Sequence, residues 1–232
     1  MSAPLLPGVS DHPLFHLALT LGAYQLALLL FEKTRSVLAQ PVLVGTLLVV
    51  AALLACDIDY ATYRSASSML WLLLGPATVA LAVPLYLNLP RIRQLFWPVL
   101  IALAVGGTVT LALTLLLAHL LGAGHAMLMT LAPKSVTSPI AILVAEQLGG
   151  SASLAAVFVM ITGVLGAALG PALLRMARVT HPAARGLALG LTAHAVGTAQ
   201  ALQENSETGA FAALAMSLAG VATAVLLPVL LG

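Results

Sequence analysis

Charge is scarce in this sequence. Only 7% of its 232 residues are charged and 61% are apolar, whereas about 25% of the residues of a typical soluble domain are charged. With a mean hydropathy of +1.11, the composition excludes a soluble globular domain and indicates an integral membrane protein. About 20 apolar residues are needed for one crossing, so the length predicts an all-α polytopic membrane protein with about eight to ten membrane segments in a single domain.

Cysteine and metal-ligand clusters are also scarce. The one cysteine, Cys56, excludes an intrachain disulfide, and neither cysteine nor histidine recurs at the spacing of a metal site. The acidic residues form no spaced catalytic pair, and there is no nucleophile-elbow or phosphate-loop motif. The nine basic residues are scattered and form no patch that would bind nucleic acid. The sequence therefore predicts no metal, no cofactor, no nucleic-acid partner and no enzymatic activity.

Eight apolar runs, separated by charged residues or by proline and glycine, are candidate membrane segments. They cover approximately residues 14–31, 41–56, 69–89, 96–121, 126–148, 154–176, 186–202 and 209–231. The stretch 57–68 is too polar to cross a bilayer alone and is typical of an interfacial or half-spanning helix.

The positive-inside rule, by which short cytoplasmic loops collect lysine and arginine, tests this segment count. With the N-terminus outside, the loops that contain Lys33 and Arg91 lie inside, as the rule expects. If every later segment crossed once, however, Arg175, Arg178 and Arg185 would all lie outside. We therefore expect that one intervening segment does not cross, or that a further crossing is hidden.

The segment 126–148 is the best candidate for one that does not cross. Its Pro133 and Pro139 each remove a helix hydrogen bond and disfavour helix at the preceding residue. A re-entrant or broken helix there restores the charge bias and gives the second half of the chain the opposite orientation to the first. The sequence thus predicts two inverted repeats, about 14–121 and 126–231, with the architecture of a secondary transporter.

Two stretches at comparable positions in these repeats are alike. Residues 72–86 and 186–202 both predict small-residue helices that contain threonine, with Pro76 and Gly197 as expected helix breaks. Such pairs of interrupted segments point to a transporter binding site, which makes Thr78 a candidate substrate ligand. Chance similarity between two alanine- and glycine-rich helices, and plain helix packing at Thr78, are the competing explanations.

Lys134 stands in the stretch LAPKSVTSPIA, between apolar runs. An ammonium at membrane depth is costly, so such groups usually face a partner, a water cavity or a substrate. A helix break at Pro133 would free backbone amides whose positive dipole end adds to the lysine charge. The expected donors are the amides of Ser135, Val136 and Thr137 and the hydroxyls of Ser135, Thr137 and Ser138. This set would bind a small carboxylate; the alternative is a lysine that snorkels from a short loop to the interface.

His194 is the second candidate, in the stretch LTAHAVGTAQ. A helix places it on one face with Thr198, and Gln200 is close in sequence. The unperturbed pKa of histidine, about 6.5, would allow this residue to take up a proton with a substrate. A structural histidine that bonds to a neighbouring helix is the alternative.

These stretches resemble the signature sequences of a known membrane-protein family. LLGPATVALAVPLY, APKSVTSPIAI followed by Gly149-Gly150, and GLALGLTAHAVGTAQAL followed by GAFAALAM are similar, in order and spacing, to those of the LrgB/CidB family, which includes YohK-like inner membrane proteins. The resemblance covers essentially the whole chain and also extends to the C-terminal half of the plastidal glycolate/glycerate translocator. It implies that residues 1–232 form one LrgB-type domain in a bacterial cytoplasmic membrane.

The resemblance implies two alternative functions. Some bacterial members are associated with pyruvate uptake, which implies a carrier of pyruvate, glycolate, glycerate or lactate, with Lys134 attracting the carboxylate and His194 coupling a proton. Other members are described as antiholin-like modulators of murein hydrolase activity and autolysis, beside small holin-like partners, LrgA and CidA. Such a regulator would pack through small residues, which also suit a homodimer. This sequence supplies them at Gly163, Gly166, Ala167 and Gly170.

Three residues depart from the pattern that the resemblance leads us to expect. Ser138 stands in place of threonine, and Ala193 stands in place of a serine before the histidine. Gln200 occupies a position where family members often carry arginine or lysine. If that basic residue helps to hold an anion, this chain has one positive charge fewer at the site, and its substrate range is expected to differ.

Overall fold

The computed structural model describes residues 12–34 and 39–232, and in these ranges the regular elements are twelve α-helices and no strand. The predicted all-α class is confirmed. The helices are α1 (Pro13–Thr34), α2 (Pro41–Ala55), α3 (Tyr60–Ala66), α4 (Ser68–Ala80), α5 (Ala82–Leu87), α6 (Leu89–Gln94), α7 (Phe96–Leu120), α8 (His125–Leu131), α9 (Ser138–Gln147), α10 (Ala152–Met176), α11 (Pro182–Glu204) and α12 (Ser206–Leu231).

Five helical stretches of the described residues are long and apolar enough to cross a membrane. They are Pro13–Thr34, Ser68–Leu87, Phe96–Leu120, Ala152–Met176 and Ser206–Leu231. Their outer surfaces carry many large apolar side chains, such as Leu72, which is 77% exposed, and Val229, which is also 77% exposed. Exposure of this kind is unfavourable in water and favourable against lipid, so the multi-pass membrane character is confirmed.

The chain forms two compact units, Met1–Ala80 and Leu81–Gly232. In the first unit, α2 packs on α1 where Gly45 lies against the backbone of Tyr24. The short helix α3 begins after Asp59, whose carboxylate accepts a hydrogen bond from the amide of Ala61 at 2.8 Å. The polar stretch that the sequence assigned to an interfacial or half-spanning helix therefore contains a helix of seven residues.

The expected helix break at Pro76 is wrong. Helix α4 continues through Pro76 to Ala80, and the next interruption comes at Leu81. Proline removes one backbone hydrogen bond, but membrane helices tolerate this loss because the surrounding backbone and side chains adjust locally.

In the second unit, α8 and α9 form a re-entrant hairpin between α7 and α10. Met129 of α8 packs with Val144 and Leu148 of α9, so the two short helices lie side by side. The amide of Ser151 donates a hydrogen bond to Oγ1 of Thr130 at 2.8 Å, although 21 residues separate them. The chain therefore folds back on itself between Thr130 and Ser151, as the sequence predicted for this segment.

Helix α11 is also a hairpin, which the sequence did not predict. Its backbone leaves the helical region at His194, with φ 42° and ψ −128°. Arg185 and Glu204 form a bidentate ion pair, with both nitrogen–oxygen distances 2.8 Å, although 19 residues separate them. A straight helix would hold them about 28 Å apart, so residues 182–193 and 195–204 run antiparallel.

The two hairpins start at opposite ends of α10. The first ends beside Ser151, which caps the start of α10, and the base of the second is tied by Arg185 Nη1, which donates to the carbonyl of Val179 just after α10 ends. Because α10 has 25 residues, these bases lie about 37 Å apart. The hairpins therefore enter the second unit from opposite faces.

The polar loop Gln203–Thr208 lies beside Arg91 and Asn88. Arg91 forms an ion pair with Glu207 at 3.4 Å, and Asn88 donates to Oγ of Ser206 at 3.2 Å. The loop reaches this position because α11 turns back on itself, which brings Glu204 to Arg185. Asn205 caps α12 by accepting a hydrogen bond from the amide of Thr208.

Candidate functional site

The tips of both hairpins meet at the same part of α10. Val136, in the loop of the first hairpin, packs against Val159 of α10. His194, at the tip of the second hairpin, directs Nε2 to the carbonyl oxygen of Val159 at 3.0 Å. We call the group Lys134, Ser135, Val159, His194 and Thr198 the hairpin junction.

The loop of the first hairpin spans residues 132–137. Helix α8 ends at Leu131, directly before the expected break at Pro133. The amides of Lys134 and Val136 close successive turns by donating to the carbonyls of Leu131 and Pro133.

The new helix consequently starts at Ser138, three residues later than expected, with Thr137 as its N-cap residue. The expectation that the amides of Ser135, Val136 and Thr137 open a half-helix is wrong in its register. Pro139 lies in the first turn of α9, where its missing N–H costs no hydrogen bond, so it begins a helix and does not break one.

Lys134 is half-buried in this loop, and its Nζ donates to Oγ of Ser135 at 3.4 Å. The ion pairs found among residues 12–34 and 39–232 are Arg91–Glu207 and Arg185–Glu204, so Lys134 has no carboxylate partner in the described part of the chain. In a membrane protein, a half-buried ammonium of this kind usually faces a partner, a water cavity or a substrate.

His194 occupies a backbone conformation that favours glycine. A φ of 42° is uncommon for a residue with a side chain, and strained positions of this kind concentrate at functional sites and switch regions. The ring is 3% exposed. Because a carbonyl oxygen only accepts, Nε2 carries the proton in the bond to Val159, and Nδ1 is the ring's remaining site for proton uptake.

Small residues of α10 make room for this hairpin. A Cβ atom at Gly163 would lie 2.6 Å from Cε1 of His194, and one at Gly166 would lie 2.6 Å from Cβ of Ala193. A Cβ at Gly170 would similarly meet Leu189 at 2.7 Å. The small-residue face that the sequence offered to a partner or a second copy is therefore occupied within the chain by α11.

The second half of α11 supplies two further predicted residues. Thr198 is buried, and its hydroxyl donates to the carbonyl of His194 at 2.8 Å, so it supports the tip and also lies close to Met216 of α12. Gln200 is half-buried on the same half-helix. The expected break at Gly197 is wrong, because the backbone turns at His194. A side chain at Gly197 would overlap the carbonyl of Leu189.

The structure brings only some of the predicted substrate-binding residues together. Four of them belong to the hairpin junction: Lys134, Ser135, His194 and Thr198. Thr137 and Ser138 are half-buried at the start of α9. Thr78 lies in α4, which belongs to the other compact unit, and its side chain is outside the described residues.

Comparison with known proteins places the chain in a family. The LrgB-like family matches residues 20–232. The chain belongs to the LrgB-like family. One relative of this LrgB-like protein is the uncharacterized protein YwbG of Bacillus subtilis, 35% identical over 93% of this chain and 96% of the relative.

Two further relatives carry functional names. The holin-like protein CidB of Staphylococcus epidermidis is 32% identical over 92% of this LrgB-like chain and 93% of its own length. The antiholin-like protein LrgB of Bacillus mycoides is 31% identical, with coverages of 93% and 94%. No solved structure matches the chain.

Sequence reasoning missed the residues that hold the second hairpin. The signal was available in Arg185 and Glu204, two opposite charges at nearly equal distances from His194 in an otherwise apolar helix. The carbonyl of Val159 leaves no trace in the sequence, because a backbone acceptor is present at every residue.

Proposed function

We propose that this LrgB-like protein is a non-enzymatic membrane carrier of small monocarboxylates such as pyruvate, glycolate, glycerate or lactate. The observation that carries the proposal is the meeting of two hairpin tips from opposite faces, beside an ammonium that has no counter-ion among the residues that the structure describes. Broken helices at the middle of the bilayer are the usual way in which secondary transporters bind ions and substrates.

In this mechanism the Lys134 ammonium attracts the carboxylate and the hydroxyl of Ser135 orients it. His194 accepts a proton at Nδ1, because its Nε2 proton is already bonded to Val159. Access alternates when one hairpin tip moves away from α10 while the other stays in contact. The positive-inside rule favours a cytoplasmic location for the face that carries Arg91, Arg175 and Arg185, in a bacterial inner membrane.

The second candidate function is antiholin-like regulation of murein hydrolase activity with a small LrgA- or CidA-like partner. The names of the relatives, antiholin-like LrgB and holin-like CidB, favour this alternative over carboxylate transport. The structure offers it less support, because the glycine face of α10 is filled by α11. A homodimer would need a different surface.

The test is uptake of radiolabelled pyruvate and glycolate by proteoliposomes that contain only this purified chain. We expect saturable uptake, and we expect Lys134→Ala to reduce it about 10- to 100-fold, the effect of losing one hydrogen bond to a charged group. Lys33→Ala, at the exposed end of α1, is the matched control and should transport normally. Unchanged uptake by Lys134→Ala would refute the site, and no uptake by folded wild-type protein would favour the regulator.

A further inference from the structure

A large apolar cavity adjoins the hairpin junction. Its volume is about 540 Å³, within the range of about 300–1,000 Å³ found for pockets that hold drug-sized ligands. Helix α7, helix α12 and the loop of the first hairpin form its walls. The loop contributes Ala132, Pro133, Ser135 and Val136.

The lining of the cavity is mostly apolar. Aliphatic side chains dominate, and the polar lining residues all carry hydroxyls: Thr108, Thr110, Thr114, Ser135 and Thr223. The hydroxyl of Thr114 is already used, because it donates to the carbonyl of Thr110 at 2.7 Å. An apolar cavity of this size is a poor site for water and a good site for hydrocarbon.

Ser135 lies between this cavity and the Lys134 ammonium. It lines the cavity, and its Oγ accepts a hydrogen bond from the Lys134 ammonium at 3.4 Å. An anionic group held by Lys134 and Ser135 would therefore have the apolar walls directly beside it. A carboxylate as small as glycolate would leave most of this space unfilled.

We propose that the preferred ligand is a monocarboxylate with an extended apolar body, whose carboxylate contacts Lys134 and Ser135 and whose hydrocarbon chain lies between α7 and α12. This inference rests on the proposed anion site and specifies its substrate class. Charge complementarity selects the occupant, since Lys134 has no ion pair among residues 12–34 and 39–232.

The test is the affinity of the purified full chain in lipid nanodiscs for straight-chain 2-oxo acids, from pyruvate to 2-oxooctanoate, measured by calorimetry. Each added methylene should tighten binding about fourfold, the ratio expected for burial of one CH₂ group, until the cavity is filled. Lys134→Ala should weaken binding about 10- to 100-fold at every chain length, whereas partition into lipid does not depend on Lys134.

Ala222→Leu provides a second readout, because Ala222 lines the cavity on α12 and Ala224 of the same helix does not. Ala222→Leu should remove the gain with chain length and leave pyruvate affinity unchanged, whereas Ala224→Leu should behave as wild type. Lys134-dependent binding of pyruvate without a gain along the series would overturn this inference and leave the anion site intact. Affinities that are unchanged in Lys134→Ala would mean that the acids partition into lipid instead of binding at the site. This result, or absence of all binding, would overturn both proposals.

Discussion

At the scale of single residues, the junction depends on a few side chains and one unusual backbone position. His194 turns the chain by adopting φ 42°, and its ring reaches Val159. The sequence identified both Lys134 and His194, because an ionisable group in an apolar run is costly and stands out. It did not identify the conformation of His194, because a strained φ is imposed by tertiary packing and not by residue type.

The backbone strain at His194 can be tested apart from the imidazole. We expect His194→Gly to be more stable than His194→Val, since both lack the ring but only valine is β-branched and opposed to a positive φ. The difference should be roughly 1–3 kcal/mol, measured as thermal unfolding of the purified protein. His119→Val, at an exposed helical position at the end of α7, should have little effect. Equal stability of the two His194 variants would contradict the assigned turn.

At the scale of elements, the sequence predicted one of the two hairpins, α8 with α9, and did not predict the other, α11. The re-entrant α8 and α9 were predicted because Pro133 and Pro139 leave a chemical signal that a helix cannot continue. The fold-back of α11 was not predicted, because neither a proline nor a long polar run lies at His194. The break was instead expected at Gly197, three residues after the observed turn. The small residues of α10 were recognised as a packing face, but sequence alone does not say which helix fills it.

The fold-back of α11 predicts a charge-swap result. Arg185→Glu or Glu204→Arg alone should destabilise the protein by roughly 1–3 kcal/mol, between the values for exposed and buried ion pairs, because the side chains are 13% and 20% exposed. The double variant should recover most of this loss in thermal unfolding.

The matched control for the charge swap is Arg91→Glu. Arg91 belongs to the more exposed pair with Glu207 on the same face, so its reversal should cost about 1 kcal/mol or less. If the double variant were as unstable as the sum of the two single variants, Arg185 and Glu204 would not be partners.

At the scale of the whole molecule, the central claim is that two hairpins enter from opposite faces and meet at Lys134 and His194. Hydropathy and the positive-inside rule predicted the membrane class and one of these hairpins. They did not reveal the second, because residues 186–202 contain no Lys, Arg, Asp or Glu and therefore predict a single crossing segment. The expected inverted repeats stay a prediction.

Two-sided labelling of single cysteines tests the central claim most directly. Four variants in a Cys56→Ser background each contain a single cysteine at one arm of a hairpin base. Leu121→Cys and Gln147→Cys flank the first hairpin, and Thr180→Cys and Gln203→Cys flank the second. Leu121→Cys and Gln147→Cys should react with an impermeant maleimide from one side of the membrane, and Thr180→Cys and Gln203→Cys from the other. Reaction of the two members of either pair from opposite sides would show a crossing helix and contradict the account.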